Sequence, residues 1–301
     1  MTIVITAPQP AFRVATVEVP TFVIALTIYG GWLAVTQWHA TLPLPLLALL
    51  GGLLIAWHGS LQHETIHGHP TGIRTIDSLI GSAPLSLWLP YAIYRRTHVA
   101  HHATPKTTDP YADPESHYCA EPGGWRHRLA LLEAPLAARL LIGPPIRIGL
   151  FLVDELRRAV AEPGRFGSDW LPHLVGVAAV LGWLRHVGLG LDVYLLAFVY
   201  PGAALSLLRS FAEHRANENP RRRAAIVRRP GPFGLLFLNN NLHAAHHARP
   251  DLSWYRLPGY FRRHRQAFAE APAYESYLQI IRDYAWRGQD DVVHPDYRSP
   301  A

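Results

Sequence analysis

Residues 19–63 read VPTFVIALTIYGGWLAVTQWHATLPLPLLALLGGLLIAWHGSLQH, a run of 45 residues without Asp, Glu, Lys or Arg. A membrane-spanning helix needs about 20 predominantly apolar residues. The run therefore predicts two spans, at about 20–38 and 43–61, separated by a short link. Because a backbone must satisfy its own hydrogen bonds inside a bilayer, we expect these spans to form a helical hairpin.

A second apolar pair follows later in the chain. Its spans are predicted at about 170–186 and 192–209, and the glycine-rich turn Gly188-Leu189-Gly190 joins them. Hydrophobic residues make up 49% of the chain and charged residues 17%, against roughly 25% charged residues in soluble domains. We therefore predict an all-α membrane protein with about four transmembrane helices in two hairpins, organised as a single domain over residues 1–301.

The basic residues predict the orientation of these spans. Of the 28 Lys and Arg residues, 11 lie in residues 62–169 and 14 in residues 210–301, whereas the turns on the opposite side hold only Arg185. Basic residues accumulate on the cytoplasmic side of membranes. We therefore expect both segments to form a cytoplasmic helical cap, with the N-terminus on the same side. The net charge of +6 then indicates a membrane surface, rather than nucleic acid, as the partner.

Two further segments bear on how the chain meets the membrane. Residues 129–158 mix Leu and Ile with four arginines, which predicts an amphipathic helix lying on the membrane. The first 18 residues carry one basic residue and lack a short apolar core followed by a small-residue cleavage site, so we expect no cleavable signal peptide and insertion by the first span.

Histidine is unusually abundant, with 18 residues, and eight of these fall into three clusters: His63 and His67; His98, His101 and His102; His243, His246 and His247. Residues three and four apart on a helix share a face, so each cluster offers two or three ring nitrogens on one side. Eight imidazoles exceed the needs of one four-coordinate ion and suit two metals. Imidazole binds zinc, copper, iron and nickel, so the ligand type alone does not name the metal.

These clusters resemble the three histidine boxes of membrane fatty-acid desaturases and of the related hydroxylases and ketolases. The resemblance covers roughly residues 20–260 and implies a centre of two iron ions with O2 as co-substrate. It also implies a ninth ligand, His214, just after the last span. Some members have an asparagine four residues before this histidine, where the present chain has Ser210.

Acidic residues follow the second box, as they often do in this family: Asp109, Asp113 and Glu115. The resemblance implies that such carboxylates accept the second ring N–H of a ligating histidine and fix the orientation of its ring. An Asp-Pro turn is the alternative interpretation of each.

The resemblance implies an O2-dependent oxidoreductase that attacks an unactivated C–H bond of a lipid, with a fatty-acyl desaturase favoured. A carotenoid ketolase or hydroxylase and a lipid hydroxylase are alternatives. The chain has one cysteine, Cys119, and no CxxC, GxGxxG or haem-binding motif. An external ferredoxin-like or cytochrome-like electron donor with its reductase is therefore implied, and the basic residues Arg262, Arg263 and Arg265 could bind either this donor or anionic lipid.

Two functions outside this family remain open. His63-Glu64-Thr65-Ile66-His67 is also an H-E-x-x-H motif, in which two histidines bind zinc and the glutamate acts as general base of a metalloprotease. A metal transporter would instead place ionisable residues inside the spans, along a path. The metal content would distinguish these classes, because two irons per chain favour the oxygenase and one zinc favours the protease.

Overall fold

The computed structural model describes residues 17–298 and shows a predominantly helical chain. Residues 1–16, on which the prediction about a signal peptide largely rests, and residues 299–301 lie outside the described part. The helices are α1 Val19–Gln37, α2 Leu44–Ile66, α3 Arg74–Gly81, α4 Tyr91–Ala103, α5 Gly124–Leu132, α6 Leu136–Leu141, α7 Gly143–Ala161, α8 Pro163–His186, α9 Leu191–Glu213, α10 Phe233–Leu236, α11 His243–Ala248, α12 Leu257–Arg263 and α13 Tyr277–Tyr284. Helix α9 contains a π-helical turn at Leu195–Val199.

Three helices are long and apolar enough to cross a membrane: α1, α2 and α9. This confirms the prediction of a helical membrane protein. Helix α8 covers the remaining predicted span and has 24 residues, but it is less apolar, because charged or titratable side chains lie in its N-terminal half and at its C-terminal end. Among these are Asp169, His173 and Arg185.

Helices α2 and α9 pack closely because small residues line their contact. A Cβ atom added at Gly51 would lie 2.6 Å from the carbonyl oxygen of Ala197, and one added at Gly202 would lie 2.5 Å from the side chain of Ile55. Small residues let membrane helices approach each other in this way. The contact brings the C-terminal end of α2 beside the C-terminal end of α9.

Residues 67–161 and 214–298 pack around these two helix ends and form what we call the cap. Its core is apolar and includes the buried rings of Phe211, Phe237 and Tyr277. One short parallel pair of strands, β1 Ile226–Val227 and β2 Ala273–Tyr274, departs from the all-α prediction. The strand pair positions the third histidine cluster, because the Ala244 N–H that follows donates to the carbonyl oxygen of Ala225 at 3.2 Å.

Residues 129–158, predicted as one amphipathic helix, are divided among α5, α6 and α7. Helix α7 is the longest of the three and has an exposed apolar face. It exposes Leu152, Val153 and Leu156 while Glu155 is buried. The buried carboxylate of Glu155 accepts a hydrogen bond from the Trp170 ring N–H at 2.7 Å, which joins α7 to α8.

Candidate metal centre

The nine histidines proposed as ligands come from four separate elements. The first cluster lies at the C-terminal end of α2, the second in the last two turns of α4, and the third on α11. His214 follows directly after α9. The close contact between α2 and α9 therefore places the first cluster beside His214. The cap positions α11 next to both.

The structure brings all nine rings together in two groups. The five-histidine group consists of His63, His67, His98, His102 and His246. The four-histidine group consists of His101, His214, His243 and His247. Within each group one ring nitrogen per residue lies within 4.8 Å of the others. The two adjacent histidines of the second cluster, His101 and His102, point into different groups. The adjacent pair of the third cluster divides in the same way.

The ring nitrogens face each other at short range. The Nε2 atoms of His243 and His214 lie 2.8 Å apart, and those of His246 and His102 lie 3.1 Å apart. The buried Nε2 atom of His63 has no hydrogen-bond partner within residues 17–298. Buried polar atoms normally have a partner, and a bound cation would supply one here. The set of converging nitrogen donors fits two metal ions.

Three rings have their second nitrogen held by an acceptor. His101 donates from Nδ1 to Asp113 at 2.8 Å, and His98 donates from Nδ1 to Glu115 at 3.1 Å. His214 donates from Nδ1 to the carbonyl oxygen of Arg223 at 3.1 Å. In the neutral ring, each bond places the proton on Nδ1 and leaves Nε2 free to bind a metal in its group.

Asp109 is placed differently from the other two acidic residues predicted to orient rings. Its carboxylate accepts the backbone N–H groups of Tyr111 and Ala112 at 2.9 Å and the hydroxyl of Tyr297 at 3.0 Å. The carboxylate therefore caps a turn, as the alternative Asp-Pro interpretation predicts. Asp113 and Glu115 are the two that reach the histidines.

Two further carboxylates lie near the rings: Glu64, considered above only as a general base, and Glu213, which sequence reasoning missed. Glu64 Oε1 lies 3.8 Å from His63 Nδ1, and Glu213 Oε1 lies 3.7 Å from His243 Nδ1. Glu64 directly follows His63 and Glu213 directly precedes His214 in the chain. This adjacency to a predicted ligand is the sequence signal that indicates a carboxylate near the rings. His69, the unassigned histidine nearest to a cluster, instead pairs through Nδ1 with Glu18 at 2.9 Å and joins neither group.

Burial keeps most of these imidazoles neutral. Burial first, and then the neighbouring rings, holds the pKa values of His102, His243, His246 and His247 well below the ordinary value of 6.5. The same two causes lower the pKa of His214 to about 3. A neutral imidazole is the form that binds a metal, so these side chains are ready to act as ligands at neutral pH.

His101 and Glu115 behave differently because each pairs with a group that favours its charged form. Burial by itself lowers the pKa of His101, but the hydrogen bond to Asp113 and the nearby Glu115 outweigh it, so the pKa is raised. Burial likewise raises the pKa of Glu115, but His98 outweighs this effect and lowers the pKa to about 2. The Glu115 carboxylate is therefore charged at neutral pH.

A cavity of about 500 Å³ opens beside the two groups. His98, His214 and His243 form part of its wall, and much of the remaining wall is apolar, including Trp88 and Phe151. Ligand sites in proteins are typically apolar cavities of this size with a few polar groups. Ser210, the residue in the position of the family's asparagine, also lines the cavity, and its hydroxyl lies 2.7 Å from His117 Nε2.

Apolar spanning helices with two groups of converging histidines at their ends define a membrane protein with a metal-binding histidine centre. The family model for fatty acid desaturases matches residues 36–278, and the chain belongs to the fatty acid desaturase family. The matched residues include all nine histidines. No curated protein gives a significant match to the chain.

Proposed function

We propose that the chain is a membrane-bound, O2-dependent di-iron oxidoreductase that desaturates a fatty-acyl chain. The observation that carries the proposal is the division of the nine imidazoles into two compact groups beside a largely apolar cavity. Membership of the fatty acid desaturase family supports an oxidoreductase with a lipid substrate.

In the proposed function, the residues of this chain have three roles: they hold the metals, orient the ligating rings and bind the hydrocarbon chain. Two iron ions, when bound, supply the redox chemistry that makes O2 a sufficient oxidant for an unactivated C–H bond. The nine histidines hold the metals, and Asp113, Glu115 and the Arg223 carbonyl fix three of the rings. The apolar cavity wall positions the hydrocarbon chain and keeps water from the reacting carbon.

The H-E-x-x-H interpretation of residues 63–67 requires a different geometry. A metalloprotease glutamate acts as general base on a water at a single zinc. Here Glu64 accepts the backbone N–H of Trp254 at 3.0 Å, and its other oxygen faces the Nδ1 side of the His63 ring. The carboxylate thus supports the back of a ligand, and nine converging imidazoles exceed what one zinc needs.

The proposal is tested by producing the chain in cells that lack a related desaturase. We expect about two irons per purified chain and an O2-dependent new double bond in the cellular lipids. An alcohol or ketone product with the same iron content would replace the desaturase by a hydroxylase or ketolase. One tightly bound zinc without any lipid product would overturn the proposal.

The membrane arrangement that accompanies this proposal has four spans, with α8 as the third and the histidine centre on the cytoplasmic side. Cys119 is the only cysteine, so a Cys119→Ser background permits labelling of single introduced cysteines. We expect a membrane-impermeant maleimide to label Thr41→Cys and Leu191→Cys from outside intact cells, and Arg287→Cys only after lysis. Labelling of Arg287→Cys in intact cells would reverse the orientation.

The proposed electron donor is an external ferredoxin-like or cytochrome-like protein with its reductase. Arg262, Arg263 and Arg265 are exposed on the cap and would attract an acidic donor or anionic lipid. Changing all three to Gln should raise the donor concentration that half-saturates turnover if they bind the donor. Unchanged donor dependence with weaker binding to anionic vesicles would assign them to lipid.

A further inference from the structure

The charged residues in the wall of the cavity are paired, with one exception. Seven of the eight charged side chains that line it have an oppositely charged or histidine partner: Asp113 with His101, Glu115 with His98, Arg147 with Glu133, Arg209 with Glu213, Asp290 with Arg215, and Asp291 with Arg298. The eighth is Arg139, which forms no ion pair within residues 17–298. Glu133, whose charge also acts on Arg139, is already paired with Arg147, so the two arginines carry one positive charge in excess. An excess cation in a cavity wall is costly unless an anion binds beside it.

Arg139 is held firmly but leaves its terminal groups free. Its Nε–H donates to the carbonyl oxygen of Glu133 at 3.2 Å, and the guanidinium lies 5.0 Å from the centre of the buried Phe211 ring. Its two terminal amino groups make no hydrogen bond in the described part of the chain. Burial and the neighbouring Arg147 lower the pKa of Arg139 to about 10, and the charge of Glu133 offsets this only in part.

Two further donors are available beside Arg139. The Nε–H of Arg147 is buried and has no partner within residues 17–298. The Arg147 guanidinium donates to His117 Nδ1 at 2.8 Å, so the other ring nitrogen of His117 carries the proton and donates to Ser210 Oγ at 2.7 Å. The hydroxyl proton of Ser210 is then free to point into the cavity. Arg139, Arg147, His117 and Ser210 form what we call the guanidinium corner.

The corner lies close to the metal centre. Phe211, which supports Arg139, and His214 are three residues apart, about 4.5 Å along a helix axis. Ser210 precedes His214 by four residues. An anion bound at the corner would therefore lie in the same cavity as the rings of His98, His214 and His243.

We propose that the guanidinium corner binds the anionic end of the substrate, a carboxylate or a phosphate. Planar guanidinium groups bind both anions well because several N–H donors match their oxygens. This inference rests on the proposed function and narrows its substrate to an amphiphile whose charged group enters the cavity. A neutral carotenoid has no anionic group that could pair with the guanidinium of Arg139.

The test measures ligand binding rather than turnover, using the full-length protein in nanodiscs. The probes are a saturated fatty acid, the alkyl phosphate of the same chain length and the corresponding primary alcohol. We expect either anion to bind at least about tenfold more tightly than the alcohol. The tighter of the two anions identifies the natural group.

Variants assign any such preference to the corner. Arg139→Gln should remove the preference for the anion and leave the affinity for the alcohol unchanged, whereas Arg139→Lys should retain part of it. Arg128→Gln, an exposed arginine on α5, is the matched control and should bind as the unchanged protein does. Bound iron and thermal unfolding of each variant report whether the fold is intact.

Several outcomes would overturn the inference. These are equal binding of anion and alcohol by the unchanged protein, an anion preference that survives in Arg139→Gln, and parallel loss of both ligands in Arg139→Gln with iron retained. A failure of the proposed function looks different, because it would appear as absent iron or absent O2-dependent product while the anion preference of the corner persists.

Discussion

The five-histidine and four-histidine groups share the second and third clusters but are completed and supported differently. The five-histidine group is completed by the first cluster on α2, whereas the four-histidine group is completed by His214 after α9. Two of the four rings in the smaller group have hydrogen-bonded supports, His101 and His214. In the larger group, Glu115 supports His98 in this way. The smaller group therefore combines fewer donors with tighter orientation, which leaves more room for an exchangeable ligand at its metal.

The largest expected effect comes from removing one ligand in each group. His246→Ala leaves four donors in the larger group, and His247→Ala leaves three in the smaller one. Because outer partners alone change metal affinity about 10–100-fold, loss of a ligand should lower activity by about 100-fold or more in both variants. We expect iron to fall to about one per chain in His247→Ala and to fall less in His246→Ala. Iron analysis and lipid products would measure both.

The exposed His264 on the cap provides the control for this comparison, because its ring bonds only to the neighbouring Tyr260 carbonyl among the described residues. His264→Ala should keep full iron and activity. Full activity in His246→Ala or His247→Ala would reject that residue as a ligand. Equal iron loss in the two variants would remove the proposed difference between the groups.

The second prediction compares the carboxylates that orient one ring in each group. Asp113→Asn weakens the support of His101, and Glu115→Gln weakens the support of His98. Loss of such a partner lowers metal affinity or activity by about 10–100-fold. We expect Asp113→Asn to have the larger effect, because the smaller group has fewer remaining donors. Iron affinity measured by chelator competition would rank the two variants.

Asp109→Asn completes this comparison, since Asp109 caps a turn and bonds to Tyr297 instead of a ligand. Its iron affinity should match that of the unchanged protein, while its thermal stability falls. Weaker iron binding in Asp109→Asn with unchanged stability would restore the role that the sequence predicted for it.

The sequence predicted much of the fold because spans are local features. A 45-residue uncharged run reports two spans without any tertiary information. Helix α8 is a weaker candidate, because polar side chains in its N-terminal half and at its C-terminal end offset its apolar residues. The two-residue strands β1 and β2 could not be predicted from the sequence, because they pair residues 47 positions apart and carry no periodic pattern.

The candidate site was predicted residue by residue but not in its arrangement. Helical spacing placed His98, His101 and His102 on one face, yet they divide between the two groups. That division depends on how α2, α4 and α11 approach each other, which no local pattern contains. The support of His214 comes from a backbone carbonyl, and every residue type has one, so the sequence held no signal for it.

The third prediction uses acidification to separate the two groups. The raised pKa of His101 means that its ring takes up a proton at a higher pH than its buried neighbours, whose pKa values are lowered. A protonated imidazole cannot bind a metal. As pH falls, the four-histidine group should therefore lose iron before the five-histidine group. Iron retained after dialysis between pH 8 and pH 4 should fall in two steps rather than one.

Asp113→Asn should change these steps in a defined direction. Without the carboxylate, the pKa of His101 falls, because the hydrogen bond and the charge of Asp113 no longer raise it. Iron affinity at the four-histidine group should accordingly be lower at pH 8 than in the unchanged protein, but should decrease less steeply as pH falls. A single step in the unchanged protein, or release from the five-histidine group first, would contradict the proposed order.

The smallest effect is expected from Glu64, whose carboxylate lies 3.8 Å from His63 Nδ1, beyond hydrogen-bond length. A glutamine at this position can still accept the Trp254 N–H, so Glu64→Gln should lower iron affinity only a few-fold, less than Glu115→Gln does. Glu162→Gln, an exposed position between α7 and α8, serves as control. The same variant also tests the hydrolase interpretation of residues 63–67. Complete loss of activity with full metal content would mean that Glu64 acts on the substrate or on water, whereas a small loss in proportion to iron places it behind His63.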